Sequence, residues 1–391
     1  MSVNVVVIGA GIAGLTAAVS LSQAGYKVTV LEKSQCAGET GAALALSPNG
    51  AKALASLNFS FQRARAVPLE TWESLDGRTL NTLTKVDLKT AEQKYGHRMW
   101  SVHRVDLHME LLRLATEQTG GSVTLRLGAP VRAIDPQNGI VYLDERECIQ
   151  ASLIVAADGL HSVARSVVLG TNFPPTKTNF SAFRFLVPTA HLARDPSLLG
   201  LQARKSPGST IFADTLSTEE RHLVWYECRD GEMQNIVGIH PTRDDCDDNK
   251  TKMLNEYADF HPDVQALLRL AGEVTYWPLY SSEPITTWVN GQVVLIGDAA
   301  HPMLPFGGQA ANQAIEDAVA LGRLMSGRES LLSVQKRLVE FQSLRYTRAS
   351  MIQILSSTRI GRERDVDSLL RTFAGDSKGM PIRLQVASYW H

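Results

Sequence analysis

Cysteine is scarce in these 391 residues, with four at positions 36, 148, 228 and 246. They form no C-x-x-C pair and no metal-ligand spacing, which excludes a disulfide framework or zinc ribbon and points to free thiols in a reducing, cytoplasmic compartment. An excess of one charge is missing as well. The 39 Lys and Arg against 40 Asp and Glu leave −1, so no overall positive field gathers nucleic acid or anionic lipid. Long apolar runs are absent. The nearest approach, Val3 to Leu21, has no basic leader, carries Asn4 and is broken by three glycines, so it reads as strand, turn and helix and not as a signal or membrane span. The C-terminal Ser388-Tyr389-Trp390-His391 is neither an anchor nor a peroxisomal address. His103, His108, His240 and His301 lack metal spacing, and no metal is expected. The remaining composition, 44% hydrophobic, is that of a globular chain of about two to three domains.

What is present begins with a βαβ unit. Asn4 to Ile8 is a β-branched strand, Gly9 to Gly14 a glycine turn, Leu15 to Gln23 a small-residue helix ending at Gly25, and Lys27 to Glu32 a second strand. Leu107, Leu111, Leu112 and Ala115 make Val105 to Glu117 an amphipathic helix, and strand-like runs follow at 122–127, 130–134, 139–143 and 152–156. From 178 to 240 the character changes to short alternating runs, Phe180 to Val187, Thr210 to Asp214, His222 to Cys228 and Ile236 to His240, the pattern of an antiparallel sheet. After an acidic loop at Asp244 to Asp248, a helix is expected over Met253 to Leu270, a buried strand over Val293 to Ile296, and a helical tail over 312–373.

Three segments carry chemistry. Gly9, Gly11 and Gly14 form G-x-G-x-x-G between strand and helix, with Glu32 closing the next strand. The glycines suit a tight turn, close approach to a pyrophosphate and helix-to-strand packing, and the carboxylate suits an unphosphorylated ribose, as in NAD or FAD. Val155 to Arg165 (V-A-A-D-G-L-H-S-V-A-R) and Val294 to Pro302 (V-L-I-G-D-A-A-H-P) each place an aspartate beside a glycine after an apolar strand. There Asp158 and Asp298 can accept from ribityl or ribose hydroxyls, or serve as turn and N-cap residues.

Together and in this order, the three segments resemble the FAD-dependent aromatic hydroxylases, the flavoprotein monooxygenases typified by p-hydroxybenzoate hydroxylase and salicylate hydroxylase. His103 to Leu107, Gly41 to Asn49 and Pro302 to Ala318 fall where that family has its remaining signatures. The resemblance implies an α/β fold: a Rossmann-like FAD-binding domain of the GR2 type with an inserted, mainly antiparallel substrate sheet and a long C-terminal helical region. The division would be 1–72, 98–175 and 282–391 for FAD, and 73–97 and 176–281 for substrate. It implies FAD held by Gly9, Gly11, Gly14, Glu32, Lys33, Ala43, Arg104, Asp158, Asp298, Gly308, Ala310, Ala311 and Asn312, with the loop from Pro305 to Asn312 against the isoalloxazine ring. It further implies NAD(P)H as a transient donor, dioxygen, a flavin C(4a)-hydroperoxide, a small aromatic substrate, and a monomer or homodimer without nucleic acid or membrane.

Two departures stand out. The family usually has glycine where Ala310 stands, and G-A-G where this chain has Gly41-Ala42-Ala43; alanine is tolerated there only at negative φ. Some relatives carry a histidine in place of Ala45, removing one base.

Alternation places His222, Val224 and Tyr226 on one face of their strand and Leu223, Trp225 and Glu227 on the other. By resemblance, His222 accepts a phenolic proton and Tyr226 hydrogen-bonds or relays it; the other reading is an edge histidine and a half-buried tyrosine. Arg184, a charge within an apolar strand, binds a substrate carboxylate or phenolate, or makes a structural salt bridge. With Pro305 these are the expected catalytic residues. The expected activity is hydroxylation of a phenol, hydroxybenzoate or N-heteroaromatic. The alternative is epoxidation or oxidative dearomatisation of an indole, polyketide or prenylated intermediate. A flavin-fold binder without turnover, as among the GDP-dissociation inhibitors, is disfavoured by the retained glycines, Glu32, Asp158 and Asp298.

Overall fold

A computed structural model describes residues 4–35, 41–243, 247–327, 331–358 and 363–374. A six-stranded sheet runs in the order Val289–Asn290, Val293–Leu295, Leu153–Ala156, Asn4–Ile8, Lys27–Leu31, Val123–Arg126. Its pairings are parallel except at the short Val289–Asn290 edge. Helices cover both faces of such a sheet, which is why its central strands are continuous Val, Ile and Leu runs with almost no exposure. Helix Ile12–Gln23 packs closely on helix Ala310–Met325, and a Cβ on Gly322 would collide with the Ser20 hydroxyl. The two ends of the chain therefore meet in one layer.

A seven-stranded sheet follows the order Thr275–Ser281, Thr176–Pro188, Met233–Pro241, His222–Cys228, Gly208–Ala213, Thr71–Asp76, Thr82–Asp87. Only Gly208–Ala213 with Thr71–Asp76 is parallel. Phe183, Phe185, Leu223, Trp225 and Ile236 bury one face under helices Pro196–Arg204, Asn249–Glu256 and Pro262–Arg269. The opposite face meets the nucleotide domain through Ala182 and Ile239, packed with Leu304 and Phe306.

Several expectations need refinement. Met253 to Leu270 is not one helix: it breaks between Glu256 and Pro262, where His261 caps the second helix and the proline takes its first turn. The tail divides into Ala310–Met325, Leu331–Leu355 and Asp367–Ala374, and the strand expected at 130–134 is Ala133–Asp135. The division expected at 72 and 73 falls inside Thr71–Asp76, all of which pairs within the larger sheet. Of the acidic loop, residues 244–246 lie outside the described residues, and Asp248 caps helix Asn249–Glu256. Cys36, Cys246 and the last 17 residues also lie outside them; Cys148 and Cys228 are free thiols. Among the described residues no helix is long and apolar enough to cross a membrane.

Candidate active site

The glycine turn is dictated by space. Gly9 has φ +98°, and a Cβ there would strike the Ala157 carbonyl; one on Gly14 would strike the Gly9 carbonyl. Gly11 caps helix Ile12–Gln23. Glu32, just past its strand, accepts from Ala10 N at 2.8 Å and Ser34 N at 2.9 Å, which fixes the carboxylate at the rim of a cavity of about 430 Å³. Gly9, Gly11, Glu32, Lys33, Arg104 and Asp158 all line that cavity, while Gly14 supports it from behind.

Asp158 has a capping role here. Its oxygens accept from the Ser162 hydroxyl at 2.6 Å and from Val163 N at 2.8 Å, holding the start of helix Val163–Leu169. Seven residues on, the buried guanidinium of Arg165 donates to Ala299 O at 2.8 Å, Leu160 O at 2.9 Å and Asp298 O at 2.6 Å, so one cation ties the Asp158 loop to the Asp298 loop. Asp298 is exposed to solvent. The enclosing protein raises its carboxyl pKa, opposed by His301, Arg104 and Arg165.

Behind Asp298 lies a buried ionic network. Asp317 Oδ2 accepts from His301 Nε2 at 2.6 Å and from Gly297 N at 3.0 Å, and its Oδ1 accepts from Arg345 Nε at 2.8 Å. Burial pushes the Asp317 carboxyl up, but His301 and Arg345 outweigh it and hold the pKa below the usual range. Arg345 also pairs with Glu316, which Arg348 and Asn49 bind at 2.9 Å and 2.6 Å. The Asn49 amide continues to Gln309 at 3.3 Å, beside the expected ring loop.

That loop is a single 3-10 turn, Pro305–Gly307, followed by Gly308 at φ +61° and helix Ala310–Met325. Ala310, Ala311 and Asn312 form its first turn, whose N–H groups have no partners within the helix and favour negative charge. The Asn312 side chain is committed to protein: it accepts from Ser47 N at 3.0 Å and donates to Ala45 O and Gly308 O. Neither Ala310 nor Ala43 has positive φ, and Gly41, at φ +139°, carries the unusual backbone alone. The alanines at customary glycine positions are therefore unstrained.

On the inner sheet face, Arg184 lies opposite Val237, Val237 opposite Val224, Tyr226 opposite Asn235, and His222 opposite Ile239. His222 Nδ1 lies 2.9 Å from Glu220 Oε1, and its ring centroid 5.9 Å from that of Phe306. Donating Nδ1–H to the carboxylate leaves the Nε2 lone pair as the proton acceptor. Tyr226 is buried and donates to Ala43 O at 2.8 Å. Burial drives its phenol well above the ordinary range, partly countered by Arg184. Arg184 has a buried Nε without a partner, and desolvation lowers its pKa.

Sequence reasoning brought out Arg184, His222 and Tyr226 but passed over Arg165, Asn235, Asp317 and Arg345. Arg165 and Asp317 stand inside the quoted motifs, so a buried-charge reading of those motifs would have reached them; Asn235 and Arg345 had no local signal. The residues fit FAD: a Cβ would fill the Gly9 and Gly14 cradle, and the buried Arg184 Nε and Asn235 Nδ2 are left without partners, Asn235 on a side chain that binds Ala43 N.

A family described as FAD binding domain matches residues 2–330, and the chain belongs to it. Within that family it is one of the FAD-dependent monooxygenases related to the aromatic hydroxylases. It is 33% identical over 380 residues to FAD-dependent monooxygenase cfoG of Aspergillus candidus, covering 94% of this chain and 87% of that one. It is 31% identical over 373 residues to hispidin-3-hydroxylase of Neonothopanus nambi, covering 90% and 87%. A salicylate hydroxylase substrate complex shares the fold with a TM-score of 0.76 at 23% identity, over 100% of this chain and 97% of that one.

Proposed function

We propose that the protein hydroxylates a small aromatic or heteroaromatic substrate bearing a phenol or enol, using NAD(P)H and dioxygen. FAD, when bound, supplies the redox chemistry that activates oxygen. Gly9, Gly11, Glu32, Lys33 and Arg104 hold its nucleotide end, Asp158 and Asp298 border its phosphate and ribityl portion, and the Pro305-to-Asn312 turn backs its ring. The substrate lies against the inner sheet face. There Arg184 steadies developing oxyanion charge, and His222, oriented by Glu220, takes the phenolic proton and makes the ring electron-rich. Leu304, Phe306, Val224 and Val237 keep that space apolar and exclude water.

The observation that carries this reading is the unpartnered buried Nε of Arg184 on the same face as His222. A buried donor without an acceptor is costly unless a ligand supplies one. A second reading, epoxidation or dearomatisation of a larger biosynthetic intermediate, is favoured by the commitment of the Tyr226 hydroxyl to Ala43, since chemistry without phenol deprotonation needs fewer proton carriers. The test is direct. Purified protein should bind FAD, and a panel of phenols scored by substrate-stimulated NAD(P)H oxidation should give a product 16 Da heavier, as expected for one added oxygen. Product NMR separates ring hydroxylation from epoxidation, and protein that takes up no FAD refutes both.

A further inference from the structure

Strand Ala43–Leu46 pairs with Trp100–His103, which leads into the cavity-lining Arg104, bonds to the substrate sheet through Ala43, and is held at both ends. At its far end Asn312 grips Ala45 O and Ser47 N. At its near end Ala42 O accepts from Arg104 N at 3.3 Å, which sets the segment beside a residue lining the cavity. Ala43 itself is gripped from the substrate side at both backbone polar groups. Its N–H donates to Asn235 Oδ1 at 2.9 Å, and its C=O accepts from the Tyr226 hydroxyl at 2.8 Å. Asn235 and Tyr226 are direct cross-strand neighbours, so two adjacent side chains of one sheet close on a single residue of the other domain.

Burying a polar side chain costs stability unless its groups are satisfied. Asn235 is 0% exposed, and its Nδ2 has no partner. An apolar residue would pack there without that cost, so the amide is held at this place by what its oxygen does for Ala43.

We propose that Asn235 and Tyr226 are positioning residues that clamp Ala43 and thereby fix the strand beside the flavin, and that the Tyr226 hydroxyl serves this clamp and carries no proton in turnover. The proposal rests on the reading of the site as an FAD-dependent monooxygenase and assigns Tyr226 a different part in it. The clamp pre-orders the Gly41-to-Ala43 segment. Without it, FAD must order that backbone as it binds, at a cost per residue equivalent to about a tenfold loss of affinity.

The test uses the full chain with Tyr226→Phe, Asn235→Leu and the double variant, each titrated with FAD by flavin fluorescence. Each single variant should lose about tenfold in FAD affinity, and the double should lose no more than about threefold beyond the weaker single, because both bonds hold one residue. Thermal unfolding of the apo forms shows that each variant folds, and Tyr226→Phe, which removes one oxygen, keeps the test decisive should Asn235→Leu fail to fold. The pH profile of substrate-stimulated flavin reduction should not move in Tyr226→Phe, whereas His222→Gln should alter it. Unchanged FAD affinity together with a shifted pH profile in Tyr226→Phe overturns the clamp in favour of a proton relay. Fully additive losses overturn the shared grip. Wild-type protein that binds no FAD defeats the reading of the site itself, while wild-type and variants that bind it equally defeat the clamp alone.

Discussion

Replacing Arg345 with methionine should destabilise the protein and loosen its hold on FAD, although Arg345 does not line the cavity. Arg345 is 5% exposed, and its guanidinium satisfies Asp317, Glu316 and Gln313 together. Removing one partner of a buried ion pair costs about 3–5 kcal/mol, because the remaining charge is stranded. Here Glu316 keeps Arg348 and Asp317 keeps His301, so the loss belongs at the lower end, about 3 kcal/mol. At about 2.1 cal/mol/K of unfolding entropy per residue, that corresponds to a fall of roughly 4 °C in the thermal midpoint. The Gly297 N–H relies on the same Asp317 oxygen as His301, so the Asp298 loop should loosen and FAD affinity fall as well. Arg345→Lys should be intermediate, since one ammonium does not reproduce the planar fork. Adding Asp317→Asn to Arg345→Met should recover part of the loss by removing the stranded charge. Calorimetry of the apo forms with FAD titration checks each step, and an Arg345→Met variant with wild-type midpoint and affinity refutes the reasoning.

Gly14→Ala should abolish FAD binding in a fluorescence titration, because the new methyl meets the Gly9 carbonyl and must push the turn open; retained binding counts against the cradle. Arg184→Met should keep FAD yet lose at least tenfold in substrate-stimulated NAD(P)H oxidation, the effect of one missing charge-assisted hydrogen bond; wild-type stimulation removes Arg184 from the substrate site. Acid should unfold the substrate sheet through Asp214, whose buried carboxylate is clasped by Arg78 and Arg221. Burial raises its pKa, but the two arginines outweigh this and hold it below the usual range. The folded pKa is depressed, so the stabilisation is complete above the unfolded value of about 4 and is lost as pH falls below it. Asp214→Asn should flatten that dependence in denaturant titrations between about pH 5 and 2.

The parts of the site written in contiguous sequence were open to reading. G-x-G-x-x-G with Glu32 needs only a strand, a turn and a helix in register, and alternation alone put His222 and Tyr226 on one face. What they bond to was hidden, because the partners come from distant segments: Ala43 N and Asn235 are 192 positions apart, and Arg165 reaches Ala299 across 134. The acceptor of the Tyr226 hydroxyl was hidden too, because it is the Ala43 backbone carbonyl, and no sequence pattern marks which carbonyl a tyrosine will meet. Asp158 unites the two readings its motif allowed: it lines the cavity, and its Ser162 and Val163 contacts also hold a helix start. The helix break at Pro262 was available in the sequence, since proline favours the first turn of a new helix.

The convergence of both chain ends on one sheet has a consequence during synthesis. The glycine turn at Gly9 leaves the ribosome early, but the strand Val293–Leu295, the Asp298 loop and Arg345 arrive up to 336 residues later. At translation rates of about 5–20 residues per second, roughly 17–67 s pass before the last of these segments reaches the first βαβ unit. During that interval the exposed edge of Leu153–Ala156 and the apolar faces of the early helices are open to unwanted pairing. The substrate sheet, whose last strand is Thr275–Ser281, can be fully paired before the six-stranded sheet receives Val293–Leu295.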